Sequence, residues 1–116
     1  MVQNMSKTVV RTYSRYTKEA LALLGGLIRA ARKTQKRKTK TLAEQAGISR
    51  NLLYRIEMGD PTCAIGVVFE VATLLGIKLF DMEPNALTRY LRQTEEKLAL
   101  LPKAIHDSTK DLNDDF

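Results

Sequence analysis

Arg29, Arg32, Lys33, Lys36, Arg37, Lys38 and Lys40 place seven positive charges within twelve positions, and the chemistry they offer is electrostatic rather than covalent. Cations held at intervals on a rigid surface can meet the regularly spaced phosphates of a nucleic acid. Alone, such a run reads equally well as a solvated face. Here Leu42, Ala43 and Ala46 follow at helical spacing, which attaches the cluster to a folded unit. The charge is also lopsided. Residues 1–60 carry 13 Lys/Arg against four Asp/Glu, whereas residues 61–116 carry six against nine. The basic half suits a polyanion, and the acidic half points toward subunit or partner contacts.

Side chains suited to covalent chemistry do not converge. His106 is the single histidine, and no spacing brings it to the single cysteine, Cys63. A Cys–His pair needs approach to about 3 Å and usually a third, orienting group. Cys63 reads instead as a partly buried turn or helix-start residue. Glu95-Glu96 and Asp114-Asp115 are neighbours on different helix azimuths or in a tail, and Gly25-Gly26 lacks the Gly-Lys-Ser/Thr of a phosphate-binding loop. No enzyme, metal or cofactor is expected. One cysteine excludes an intramolecular disulfide framework and a multi-cysteine zinc site. Aromatics at 6%, with no tryptophan, disfavour a carbohydrate-stacking site. No run nears the ~20 apolar residues of a membrane span, and the first residues lack a signal peptide's apolar core. The expectation is a cytoplasmic protein of one domain: 116 residues at 44% hydrophobic allow one modest core.

Five helices must position these charges. Residues 1–16 read as a basic arm, either disordered or pairing Thr8, Val9 and Val10 with a symmetry mate. From about Thr17, Ala20, Leu24, Leu27, Ile28 and Ala31 recur at three and four residues and predict an amphipathic helix. Gly25-Gly26 inside it implies a kink, a break or a close crossing by another helix. A second helix starts at Thr39 or Thr41, where Thr41 and Glu44 have capping-box spacing, and ends at Gly47. Ser49 caps a third helix through Met58, stopped by Gly59. Two short helices joined by Gly47, Ile48 and Ser49 make a helix-turn-helix. After Asp60-Pro61, residues Ile65, Val68, Phe69, Ala72 and Leu75 form a fourth helix, apolar on most sides and so expected to be deeply buried. Ile77 to Phe80 alternates as a short extended segment. Pro84 opens a fifth helix.

The fifth helix carries a second pattern. Leu87, Leu91, Thr94, Leu98, Leu101 and Ile105 are spaced four, three, four, three, four, an a/d seam interrupted by Thr94 and kinked or ended at Pro102. It fits a dimer, a partner protein or the chain's own core. Residues 106–116 read as an acidic tail.

Residues 24–76 resemble the Cro/CI-type helix-turn-helix regulators. The likeness is carried by Leu24-Gly25, Ile28-Arg29, Arg32, Leu42-Ala43, Ala46-Gly47-Ile48-Ser49, Leu53, Ile56-Glu57, Gly59, Ala72 and Leu75-Gly76-Ile77. It implies an all-α fold: a compact five-helix, lambda-repressor-like DNA-binding domain over residues 17–82, with the N-terminal arm and a C-terminal helix extension over residues 83–105. It also implies a homodimer that represses at palindromic operators of double-stranded DNA. Gly59-Asp60-Pro61, Gly66, Phe69-Glu70-Val71-Ala72 and Leu74-Leu75-Gly76 look more narrowly like the HipB-type antitoxins, whose partner is a HipA-like kinase toxin encoded by the adjacent gene.

The resemblance places Ser49, Arg50, Asn51 and Arg55 on the base-facing side of the recognition helix. The chemistry agrees, since Arg can hold guanine O6/N7 and Asn adenine N6/N7 bidentately. Lys36, Lys38, Thr39, Lys40 and Tyr54 then serve the DNA backbone, and Leu87, Leu91, Leu98 and Leu101 the dimer or partner seam. Glu57 is expected to hold a salt bridge to Arg29 or Arg32. Two departures stand out: Lys38-Thr39 replaces the family's frequent Thr-Gln, and Met58 replaces a polar phosphate contact. Leu52, often small or polar in the family, is expected to face a partner or a thymine methyl.

Overall fold

The computed structural model describes residues 11–105, so the expected pairing of Thr8, Val9 and Val10 and the acidic tail from His106 to Phe116 lie outside it. Among the described residues the chain forms α1 (Arg15–Thr34), α2 (Thr39–Ala46), α3 (Arg50–Glu57), α4 (Ile65–Leu74), a short 3-10 turn (Leu79–Asp81) and α5 (Pro84–Leu100), with no strand. The fold is all-α, as the periodicity predicts. No described helix is long and apolar enough to cross a membrane.

Helix starts follow local chemistry. Ser14 Oγ accepts from the Thr17 amide at 3.2 Å, so α1 begins at Arg15, slightly upstream of where the apolar stripe becomes visible. α2 begins at Thr39, the earlier of the two expected starts, with Lys38 at its cap and no side-chain cap bond; Thr41 and Glu44 lie inside the helix and form no capping box. Ser49 does cap α3, its Oγ accepting from the Leu52 amide at 3.0 Å. Gly47 between them has φ 71°, a left-handed conformation that costs glycine nothing and reverses the chain into α3.

The first compact unit ends at Leu79. Its core is Ile28 from α1, Leu42 and Ala43 from α2, Leu53 and Ile56 from α3, and Val71, Ala72 and Leu75 at α4 and its end. Each fully buried aliphatic side chain contributes about 1.5–3 kcal/mol relative to exposure. α1 runs through Gly25-Gly26 without a break, which selects close packing over the kink: a Cβ on Gly25 would stand 2.6 Å from the carbonyl oxygens of Ile56 and Glu57. The sequence overstates burial in places. Ala20 and Leu27 are exposed, and α4 buries only Val71 and Ala72 while Ile65 is 70% exposed. Leu52, expected outside, packs partly buried on the core.

Ile77 and Leu79 lie against the core as expected, but the segment is not extended. Phe80 and Asp81 take φ of 57° and 56°, forming the 3-10 turn; four alternating residues without a partner strand cannot hold an extended backbone. The second unit begins at Phe80. Pro84 opens α5, whose last helical residue is Leu100, so Leu101 stands at its C-cap and Ile105 beyond it rather than on the helix. No residue of α5 is buried.

Candidate nucleic-acid interface

α3 is two-sided. Leu53, Ile56 and Glu57 face inward, while Arg50, Asn51 and Tyr54 are exposed, followed by Met58 at the C-cap. The inward set recurs at three and four residues; Asn51 and Tyr54, three apart, share the surface turned away from it, and Arg50, seven residues before Glu57, stands at the margin between the two. Tyr54 is 62% exposed and Met58 56%, large areas for side chains that have apolar bodies. Of the residues expected to face bases, Arg50 and Asn51 are in the open, Ser49 spends its hydroxyl oxygen on the helix cap, and Arg55, partly exposed, is bonded to Asp60.

Arg55 belongs to a three-residue network with the loop after α3. Its Nε donates to Asp60 Oδ2 at 2.8 Å and its Nη2 to Thr62 Oγ1 at 2.6 Å. Thr62 in turn donates to Asp60 Oδ1 from its hydroxyl at 2.7 Å and from its amide at 2.8 Å. The Arg55 guanidinium, then the hydroxyl and amide of Thr62, hold the Asp60 carboxyl at a pKa of about 2, below its ordinary 3.8. Cys63 follows directly, and partial burial pushes its thiol pKa up, away from the nucleophilic thiolate.

The basic run divides into internal and external members. Arg32 grips Glu57 with both ends of its fork, Nε to Oε2 at 2.7 Å and Nη2 to Oε1 at 3.0 Å, with side-chain exposures of only 13% and 5%. This resolves the expected Glu57 partner as Arg32. Arg37 donates from Nη1 to the Leu74 carbonyl at 2.7 Å and from Nη2 to Gln45, while Gln35 donates to the Leu75 carbonyl at 2.8 Å. Both carbonyls lie at the C-terminal end of α4, where a cation also meets the negative end of the helix dipole. Arg29, Lys33, Lys36, Lys38 and Lys40 remain exposed.

Arg32 and Glu57 line a cleft of about 430 Å³ together with Arg29, Thr39, Arg50, Tyr54 and Met58. The cleft therefore gathers three of the expected DNA-contacting residues, Thr39 and Arg50 from the starts of α2 and α3 and Tyr54 from the middle of α3. With Glu57 neutralised by Arg32, the remaining charge of the lining is that of Arg29 and Arg50, which favours an anion. Ser49, Asn51, Arg55, Lys36, Lys38 and Lys40 lie outside its lining, and the α5 leucines belong to the second unit. Sequence reasoning left Arg29 out of the site although it lies in the basic run. It also missed Asp60 and Thr62, whose signal was an Asp-Pro-Thr turn directly after the recognition helix. Among the described residues, no group of three His, Cys, Asp or Glu could hold a metal ion.

Residues 28–82 match the helix-turn-helix family model. An uncharacterized HTH-type transcriptional regulator of Sinorhizobium fredii, y4mF, is 34% identical over 62 residues, covering 53% of this chain and 82% of that protein.

Proposed function

We propose that this chain, which belongs to the helix-turn-helix family of DNA-binding transcriptional regulators, is a sequence-specific repressor that binds a palindromic operator as a homodimer. One observation carries the proposal: α3 buries Leu53, Ile56 and Glu57 and leaves Arg50, Asn51 and Tyr54 open, beside exposed Lys36, Lys38 and Lys40. In this reading α3 enters the major groove, Arg50 takes guanine O6/N7 and Asn51 takes adenine N6/N7. Lys36, Lys38, Thr39, Lys40 and Tyr54 meet the DNA backbone on either side. Family membership agrees with the non-enzymatic reading, since these are regulators that act by binding.

Titrations of a selected duplex and a scrambled one, at several salt concentrations, test the assignment. Arg50→Ala or Asn51→Ala is expected to cut discrimination between the two by about 1–3 kcal/mol for each bidentate base pairing removed. Lys38→Ala is expected to weaken both duplexes alike and to flatten the salt slope by about one unit. Equal weakening on both duplexes for Arg50→Ala removes its base-reading role.

A second reading adds a protein partner. The loop Gly59-Asp60-Pro61, with Gly66, is similar to the antitoxin type, and residues 61–116 hold nine acidic residues against six basic, which DNA contact does not require. In that reading the regulator also holds a HipA-like kinase toxin, and Leu91 and Leu98 are candidate contacts. Co-expression with an adjacent-gene kinase followed by size-exclusion in high salt tests it; separation of the two proteins at low micromolar concentration removes it.

A further inference from the structure

We infer that Asp60 and Thr62 are specificity-determining positioning residues, which orient the Arg55 guanidinium so that its outer edge reads a guanine. The inference rests on the DNA-binding reading of α3. An arginine carries five N–H donors in a rigid planar fork. Asp60 and Thr62 accept one each, from Nε and Nη2, which share one side of that fork. The two hydrogens of Nη1 and the second of Nη2 lie outside these bonds. One hydrogen of Nη1 and the second of Nη2 run parallel and form the end of the fork, the shape that matches the paired O6 and N7 acceptors of guanine.

Three features set this network apart from an ordinary surface ion pair. It is closed: Arg55 donates to both partners, and the Thr62 hydroxyl donates onward to the same carboxylate. It is also anchored, because the Asp60 amide donates to the Arg55 carbonyl at 3.0 Å, joining loop and helix backbones at the same place. Finally, it is near neutral. Asp60 cancels the Arg55 charge, so Arg55 adds little to the general attraction for phosphate, and what remains to it is directional hydrogen bonding. A free arginine must surrender side-chain rotamer freedom on binding; one already held surrenders less. Arg55 lies four residues after Asn51 on α3, so both occupy one side of the helix.

The test uses the full chain and a randomised duplex library. Wild type, Asp60→Asn and Thr62→Val are each carried through selection, and affinities are then measured by anisotropy on the selected and a scrambled duplex across salt concentrations. Circular dichroism melting accompanies each variant. Wild type is expected to prefer guanine at one half-site position by about 5- to 150-fold, the range of a good bidentate contact. Both variants should lose that preference and keep those at other positions. Asp60→Asn should also bind scrambled duplex more tightly, with a salt slope steeper by about one unit, because Arg55 regains a free charge. An unchanged guanine preference in Asp60→Asn overturns the inference alone. A uniform loss at all positions that tracks the melting temperature overturns it too, in favour of a purely structural network. If wild type selects no sequence, the DNA-binding reading falls and the inference with it.

Discussion

Arg29 and Arg32 are chemically identical and one helical turn apart, yet the fold uses them in opposite ways. Arg32 is engaged by a carboxylate whose side chain is 5% exposed, whereas Arg29 is an exposed residue of the cleft lining. A buried ion pair adds little net stability over an apolar pair, but breaking one leaves an uncompensated charge inside the protein. Arg32→Ala is therefore expected to cost about 3–5 kcal/mol in denaturant unfolding. Arg29→Ala should stay within about 0.5 kcal/mol while lowering affinity for DNA. Equal destabilisation by the two would contradict this division. The sequence announced the basic run but not its sorting, because an arginine facing solvent and one facing a buried Glu differ only in azimuth and in what another helix brings opposite. Glu57 was legible as half of a pair since a lone carboxylate on an inward helix face requires a partner. Arg37 was not legible, because its acceptors are the Leu74 backbone carbonyl at the end of α4, far along the chain, and the Gln45 side-chain oxygen on α2.

At the scale of elements, helix ends were the easier part to read and close approaches the harder. Ser49, Gly47 and Pro84 act through their own backbone or nearest amides, so local sequence is enough to place them. Thr41–Glu44 misled because capping-box spacing is common and the helix starts earlier, at Thr39. Gly25-Gly26 left kink and crossing open, and only the position of the α3 carbonyls decides between them. The two glycines now separate by function. A methyl on Gly25 would sit 2.6 Å from the Ile56 and Glu57 carbonyl oxygens, rigid backbone that can yield only if α1 and α3 move apart. Gly26 has nothing within 4 Å of the same methyl. Gly25→Ala should therefore destabilise by about 1–3 kcal/mol, typical of overpacking, and should weaken operator binding because α3 is displaced. Gly26→Ala should stabilise by up to about 1 kcal/mol through helix propensity. Thermal melts of the two variants check this, and a shared sign would refute the crossing as the reason for Gly25.

At the scale of the whole molecule, the DNA reading asks for two copies, and α5 is the element that offers to join them. A single recognition helix reads one half-site, whereas a palindrome presents two, about 34 Å apart. Leu87, Leu91 and Leu98 fall at a/d spacing on α5 and are 36%, 58% and 62% exposed. Thr94, the polar interruption, returns its hydroxyl to the Tyr90 carbonyl at 2.8 Å, so it needs no partner across a seam. An apolar stripe left open on an otherwise charged helix favours association, and a second copy supplies the same stripe with two-fold symmetry. Because α5 ends at Leu100, the proposed seam would centre on Leu91 and Leu98, with Leu101 at its margin. Wild type at micromolar concentration is expected to sediment near twice 13.1 kDa, and the double variant Leu91→Asp, Leu98→Asp near 13.1 kDa. Losing the dimer removes the local concentration that one bound half gives the other, so affinity for a full palindrome should fall by about 10²–10⁴-fold. Affinity for an isolated half-site should hold, since α3 is untouched. A variant that stays dimeric would take the seam away from self-association. If that variant also failed to capture a co-expressed kinase, α5 would be the seat of the protein partner instead.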